Sequence, residues 1–430
     1  MMSDGKTIVF FPEAAFGPAL NSVGIAQVCR DMGHRPVFLA DPGFSGVFAD
    51  YGFEEHAVPM SEPMEPEAMA RYWSDFINGQ IPNFHTPPIE QVSTYIKACW
   101  EAIVETAVWA EKSLPGVLAK VEPDLICVDN VVLFPATKRH GAPWVRIISC
   151  SENEIEDPDI PPHLSGCRED DPEGFRLYRE AFEREIAPIH AQFNEFLAAC
   201  GEELYPLGQF FETSPWLNLL HYPRPLAFHR RHPLDEERFV YLEGCIREEE
   251  PYAIPDFAVN QSKPLVYVSF GSLGSGDTDL MKRLMATLGT LPFRVLVNVG
   301  DYGEAYDHVP PNCHVDSWYP QPSVIAEVDA VIHHGGNNSF NECLYFGKPS
   351  LIMPYCWDGH DNATHIDERG YGLAMERYTW KDADIAAALE RMVSDTAMKQ
   401  RLESLSAHMQ AEDGRRKGAR ALDNLLRTGA

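Results

Sequence analysis

No stretch of this chain approaches the ~18 consecutive apolar residues that a membrane-spanning helix needs. The N-terminal MMSDGKTIVFF has no sustained apolar core of the kind a signal peptide carries, so no export signal is expected. Basic residues are few: 35 Lys and Arg against 64 Asp and Glu, a formal charge of −29. That balance argues against a nucleic-acid partner or an anionic membrane surface. Cysteine pairs are missing too. The ten cysteines are scattered and none forms a CxxC pair, so reduced thiols in a cytoplasmic protein are expected. There is no low-complexity tract and no internal repeat.

What remains is ordinary globular material, 45% hydrophobic and 23% charged over 430 residues. That length is too great for one ordinary core and suggests two or three domains. Thr7–Phe11 is a short apolar run, followed by a helical pattern from about Asn21 to Met32 that Gly33 and His34 stop, and by a second strand at Pro36–Ala40. This is a βαβ opening, which implies a parallel sheet. Asp124–Asp129 and Trp144–Ser149 read as further buried strands, after a long helix from about Ile89 to Leu114. A helix over Pro172–Ala199 carries Phe175, Tyr178, Phe182, Ile186, Ile189 and Phe193 on one face at spacings of three and four. Glu248–Lys263 is charged, Pro-containing and aperiodic, and reads as a linker.

Beyond the linker the βα rhythm restarts, with strands at Leu265–Phe270, Arg294–Val299, Ala330–His333 and Ser350–Met353. Helices are expected at Asp279–Leu288 and Ser339–Phe346, and a terminal helical region over Asp382–Leu426. The division is therefore residues 1–247, a linker 248–263, residues 264–410, and a C-terminal helix 411–430 packing back on the first domain. Two facing, doubly wound α/β domains of Rossmann-like type would place a ligand between the carboxyl ends of their strands.

The densest chemistry lies in Trp318–Asn362, WYPQPSVIAEVDAVIHHGGNNSFNECLYFGKPSLIMPYCWDGHDN. The strand ending at Phe270 runs into Gly271 and Ser272, and the strand ending at His333 runs into His334, Gly335, Gly336, Asn337, Asn338 and Ser339. Glycine-rich turns after parallel strands expose backbone N–H groups, and a helix N-terminus adds about half a positive charge, which together suit a phosphate. Asn338 or Ser339 is also a candidate N-cap. Glu342 would lie one turn into that helix, as a simple N-terminal acid or as a bidentate acceptor for two ribose hydroxyls. Trp318 sits in a loop before Pro320, where a large ring either packs or stacks. Asp358 follows the strand ending at Pro354, with Gly359, His360 and Asn362 beside it.

The relative spacing of Trp318, Gln321, His334, Gly336, Ser339, Glu342, Pro354 and Asp358 resembles, without a gap, the nucleotide-sugar motif of the family-one glycosyltransferases. This is the UDP-glycosyltransferase superfamily with the GT-B fold, here of bacterial macrolide and natural-product type. The resemblance is specific in the second half and looser in the first. It implies Trp318 stacking on a donor base and Gln321 touching base or ribose, with Glu342 on the ribose hydroxyls. It implies Gly271, Ser272, His334, Gly336, Asn338 and Ser339 around the diphosphate, and Asp358 on the sugar. It further implies no metal and no permanent cofactor, only a UDP- or TDP-sugar co-substrate.

Two positions depart from the family pattern. The sugar-binding aspartate is followed by Gly359, where glutamine or histidine is usual, so that contact is missing or supplied by His360. In the first loop, the family's Gly-His pair carrying the general base is replaced by Gly17-Pro18. Proline takes no proton, which leaves Glu13 and Asn21 nearby, and Asp129 at the end of a later strand, as base or as a plain cap. Acidic segments Glu152–Asp159 and Glu169–Glu173 would favour a cationic acceptor, or serve only as solvated loop charge. Tyr72, Trp73, Phe76 and Phe84 are either pocket lining or core.

The expected activity is that of an inverting hexosyltransferase with a non-standard base, moving a sugar from a nucleotide diphosphate sugar to a small-molecule natural product. It would be monomeric or homodimeric. A catalytically silent nucleotide-sugar-binding partner protein and a GT-B nucleotide-sugar epimerase are the alternatives.

Overall fold

The computed structural model describes residues 5–13, 16–62, 75, 76 and 78–429. They form two wholly parallel sheets. The first contains β1 (Thr7–Pro12), β2 (Arg35–Ala40), β3 (Glu54–Ala57), β4 (Leu125–Asp129), β5 (Trp144–Ile148), β6 (Leu217–Leu220) and β7 (Phe239–Tyr241), in the order β3-β2-β1-β4-β5-β6-β7. The second contains β8 (Leu265–Ser269), β9 (Arg294–Asn298), β10 (Cys313–Asp316), β11 (Ala330–His333), β12 (Ser350–Ile352) and β13 (Leu373–Ala374), in the order β10-β9-β8-β11-β12-β13.

The central strands are buried on both faces, as helix-covered parallel strands must be. Their side chains alternate between two apolar layers. On one face of the first sheet Val9, Phe11, Ile126 and Val128 meet Trp100, Ile189 and Phe193. On the other, Ile8, Phe10, Leu125 and Cys127 meet Val23, Ile25 and Ala26 of the helix Val23–Asp31. The helix Pro172–Cys200 buries Phe175, Tyr178, Ile186, Ile189 and Phe193, the face expected from its spacing. Its start is fixed by Asp171, which accepts from Gly174 N at 2.9 Å, and its end by Gly201 at φ +80°.

Some elements differ from expectation. The single helix over Ile89–Leu114 is divided into Pro88–Gln91, a π-turn at Val92–Ile96, Lys97–Ala110 and a new helix at Leu114–Val121. Pro115 in the first turn of that last helix explains the break, since proline is tolerated there and not inside. β3, β6, β7, β10 and β13 escaped the sequence reading. They are two to four residues long, and four of them lie at sheet edges. The terminal region is three helices, Asp382–Ser394, Thr396–Glu412 and Gly414–Thr428.

The last of these leaves the second sheet and lies on the first. Ala419 and Leu422 are fully buried in the same layer as Ile25 and Leu242, and Asp423 sits 3.3 Å from the imidazole of His34. The crossing turns on Asp413 at φ +47° and on Gly414, where a Cβ would fall 1.5 Å from the carbonyl oxygen of Leu242. Leu422→Ala should therefore destabilise the first domain by ~2–5 kcal/mol in denaturant unfolding. An effect below 0.5 kcal/mol would mean that this helix is not part of that core.

Candidate functional site

In each sheet the strand order reverses between two neighbours, β1 and β4 in the first, β8 and β11 in the second. Crevices outside the carboxyl ends of such strands are where doubly wound folds take their ligands. In the first sheet Pro12 pairs with Asp129, so Glu13 and Asp129 leave the sheet side by side. In the second, Ser269 pairs with His333, so the Gly271 and Gly335–Gly336 turns are neighbours.

His334 is seated between those two turns. A Cβ at Gly271 would lie 2.8 Å from its Cε1, and one at Gly336 would lie 2.5 Å from its Nε2. The glycines are thus needed as much to admit the imidazole as to present N–H groups. The ring stacks on Tyr355 at 5.2 Å, and the Tyr355 hydroxyl donates to the Phe270 carbonyl at 3.1 Å. Burial, and then the charge of Arg377, push His334 down to about 4. It is neutral at physiological pH and serves as a polar partner rather than a cation.

The following helix begins at Asn337, with Gly336 as its N-cap, so neither Asn338 nor Ser339 fills that role. The reason is that a carboxylate from elsewhere meets the helix end: Asp358 accepts from Asn337 N at 3.2 Å. Asn337 instead reaches across to the carbonyls of Ser149 (2.9 Å) and His221 (2.8 Å), and Asn338 donates to Gly17 O at 3.0 Å. Further along, Gln321 Nε2 donates to Ser339 Oγ (3.0 Å) and to Glu342 Oε2 (2.6 Å). Glu342 lies one turn into the helix, as expected, and is buried. Trp318 is 60% exposed, unusual for so large a ring, and no ring partner is found for it among the described residues. Ser272 is exposed beside Gly271.

His360 is half-buried against Gly166 of the first domain, with its Nε2 unpartnered. Gly359 has a steric reason of its own: a Cβ there would lie 2.5 Å from the His334 carbonyl. The helix Gly359–Arg369 can approach the His334 turn only because this position has no side chain.

On the first-domain side, Asp129 is 2% exposed; Ser149 Oγ donates to its Oδ1 at 2.5 Å and its Oδ2 has no partner. Burial, reinforced by Glu154 and Glu13, raises its carboxyl well above the usual range despite Ser149 and Arg146. Glu13 is half-buried, and burial followed by the charge of Glu154 pushes it up to about 7. Asp358, across the seam, is raised to about 7 by burial and then by Asp361. Glu154, ion-paired with Arg146, acts on all three of these carboxyls and was missed as an individual residue, though it lies in the acidic loop singled out from the sequence.

Much of the rest of that loop is engaged internally. Glu152 accepts from Arg230, Tyr241 and Phe228 N, and Asp157 accepts from the amides of Asp159, Arg231 and His232. Glu169 pairs with Arg369, and Asp171 caps its helix. Glu152, Asp157 and Glu169 are thus engaged within the protein, whereas Glu156, Asp159, Asp170 and Glu173 are exposed and remain solvated charge. Phe84 packs on Tyr355 at 4.8 Å; Tyr72 and Trp73 lie outside the described residues. Asn21 is buried.

Facing parallel sheets with chemistry at both switch points define the GT-B class of fold. Residues 282–423 match the family model of the erythromycin biosynthesis protein CIII-like C-terminal domain. Over 264 residues, 60% of this chain and 65% of the relative, the sequence is 22% identical to the NDP-glycosyltransferase YjiC of Bacillus subtilis. It is 29% identical to UDP-glucuronosyltransferase 2B16 of Oryctolagus cuniculus over 44% of this chain and 35% of that one. The chain thus spans less than two thirds of the length of these curated relatives. Among solved structures, the glycosyltransferase of kitacinnamycin superposes with a TM-score of 0.71 at 20% identity, covering 98% of both chains. The calicheamicin glycosyltransferase CalG4 gives 0.71 at 18% identity, over 99% of this chain and 100% of that one. VinC, solved in complex with dTDP, gives 0.65 at 18% identity, over 98% and 100%. The resemblance to family-one glycosyltransferases of natural-product type holds over the second domain in sequence and over both domains in fold.

Two outcomes follow from this geometry. Gly359→Ala should cost about 1–3 kcal/mol in denaturant unfolding, the penalty of overpacking against a carbonyl; an unchanged midpoint would remove the steric account of Gly359. Glu13 holds a proton more tightly folded than unfolded, so its contribution is lost as pH rises from 4.5 through about 7. Glu13→Gln should match the parent below pH 4.5 and exceed it above pH 7, by at most ~3 kcal/mol. The check is paired unfolding curves across that window, and parallel curves would contradict the assignment.

Proposed function

We propose that the protein is an inverting, metal-independent hexosyltransferase of the cytoplasm, moving a sugar from a UDP- or TDP-sugar to a small-molecule natural product. The observation that carries this reading is the helix Asn337–Tyr345. Its N-terminus has no side-chain cap of its own, it bears the Gln321–Ser339–Glu342 network, and exposed Trp318 belongs to the same motif. A nucleoside diphosphate needs these features together: a ring to stack on, a carboxylate for ribose hydroxyls, and N–H groups for phosphate. Gly271, Ser272, His334, Gly336 and Asn338 line the diphosphate, and Asp358 and His360 meet the sugar. The dTDP in the VinC complex is consistent with such a donor.

In the reaction, the acceptor atom attacks the anomeric carbon from the face opposite the nucleoside diphosphate. The bond to the diphosphate oxygen breaks, and that oxygen keeps the electron pair, stabilised by backbone N–H groups and neutral His334. Glu13 takes the acceptor's proton. Its carboxyl, near 7, is matched to proton transfer at neutral pH, and Asp129, whose carboxyl burial raises well above the usual range, orients the acceptor. Glu13, Asp129 and Glu154 act on one another here, with Arg146 paired to Glu154, and this acidic cluster favours an acceptor carrying an amine or other proton donors. A base of this kind also speaks against a silent binding protein, and no observation favours an epimerase.

Titration with UDP and TDP, then kinetics on an acceptor panel, tests the reading. Glu13→Gln should lower kcat/KM at least tenfold (~1.4 kcal/mol). The parent's kcat/KM should rise with pH through about 7, as Glu13 gives up its proton, and that rise should vanish in the variant. Tight donor binding with no turnover on any acceptor would sink it, and neither Glu13→Gln nor Asp129→Asn reaching tenfold would exclude a protein base.

A further inference from the structure

Arg247 stands where the first sheet's last segment passes into the linker, and no motif drew attention to it. Its guanidinium is buried between two carboxylates. Arg247 Nε donates to Glu249 Oε1 at 2.6 Å, and Nη1 donates to Glu342 Oε1 at 3.1 Å. Glu249 Oε1 also accepts from the hydroxyl of Tyr51, in the first domain, at 2.8 Å. Glu342 is therefore held at both oxygens, Oε1 by Arg247 and Oε2 by Gln321. Each carboxylate oxygen offers about two acceptor directions, so one on each remains for an incoming hydroxyl.

An arginine buried this way is hard to explain as packing. A surface pair adds little to stability, and a buried one scarcely repays the desolvation of its charges. The arrangement has a use if Glu342 must stay ionised and fixed in rotation while buried at 2% exposure. Burial alone would drive its carboxyl to hold a proton, and Arg247, then Gln321, oppose that. A protonated Glu342 would lose acceptor capacity toward a diol. Nearby Glu249, Tyr267 and Cys343 supply no positive charge, so the task falls to Arg247.

We propose that Arg247 is a positioning residue of the donor site: from the end of the first domain, where it meets the linker, it holds the Glu342 carboxylate aimed so that it accepts hydrogen bonds from the ribose hydroxyls of the nucleotide donor. This rests on the donor reading above. It makes the first domain, and through Glu249 the linker, part of nucleotide recognition. Donor affinity then depends on the linker's path as well as on the second domain.

The experiment is calorimetric titration of the full chain and of Arg247→Gln and Arg247→Lys with UDP, TDP and a 2′,3′-dideoxynucleoside diphosphate. In Arg247→Gln, affinity for UDP should fall about tenfold or more, affinity for TDP, which keeps only the 3′-hydroxyl, should fall less, and affinity for the dideoxy ligand should stay within twofold of the parent. Arg247→Lys, which keeps the charge, should recover part of the loss. In Arg247→Gln the UDP affinity should also rise with pH more steeply than in the parent, as Glu342 gives up the proton that Arg247 no longer repels. Equal losses for all three ligands would overturn the proposal, because they would mean a general structural or phosphate-directed role. An unchanged UDP affinity in Arg247→Gln would overturn it as well. Failure of the parent to bind any nucleoside diphosphate would instead overturn the donor reading itself.

Discussion

Acid buried at the seam between two parallel sheets is the constraint on which the rest of this structure turns. Glu13, Asp129 and Glu154 come from one side, Asp358 and Asp361 from the other, and all five have carboxyls raised by burial. Ordinary solvation would leave every one of them ionised. Burial makes that costly: Glu13 and Asp358 are pushed up to about 7 and Asp361 to about 6, so these three exchange protons close to neutrality. A chain that has lost the expected histidine can in this way still hold a group able to accept a proton.

The seam stays closed because the second domain's polar groups are satisfied by the first domain's backbone. Asp361 accepts from Leu164 N (2.7 Å), Gly166 N (2.9 Å) and Ser151 Oγ (3.0 Å). Asn337 and Asn341 donate to the carbonyl of His221, and Thr364 donates to that of Gly166. Each bond is of modest net worth, but leaving one of these buried groups unpaired is expensive, so opening the seam requires water to replace all of them together. Opening is then a concerted event rather than a gradual loosening.

Much of this was legible in the residues. The βα rhythm and the apolar face of Pro172–Cys200 follow from local pattern, and so does the glycine-rich turn after each of the strands ending at Ser269 and His333. What was not legible is pairing over long separations. Nothing around Arg247 announces that it will meet Glu342, 95 residues away. Asn337 reads as one more polar residue at a helix start until the fold brings Ser149 and His221 to it. The acids of Glu152–Asp159 looked available because sequence counts charges and does not count their partners. Gly359 looked like a lost ligand, and the fold makes it a point of close approach. The short strands failed for another reason: two to four residues carry too little periodicity to separate from a loop.

The helix Gly414–Thr428 lies on the first sheet, although more than 170 residues separate it from β7, the last strand of that sheet. During synthesis the first domain therefore emerges with part of one apolar layer uncovered, beside the helix Val23–Asp31. It must wait while the whole second sheet is made before Ala419 and Leu422 arrive to cover it. The domain that is translated first is the one completed last. Until then its exposed Ile25 and Leu242 layer is a place for chaperones to hold, or for wrong chains to find.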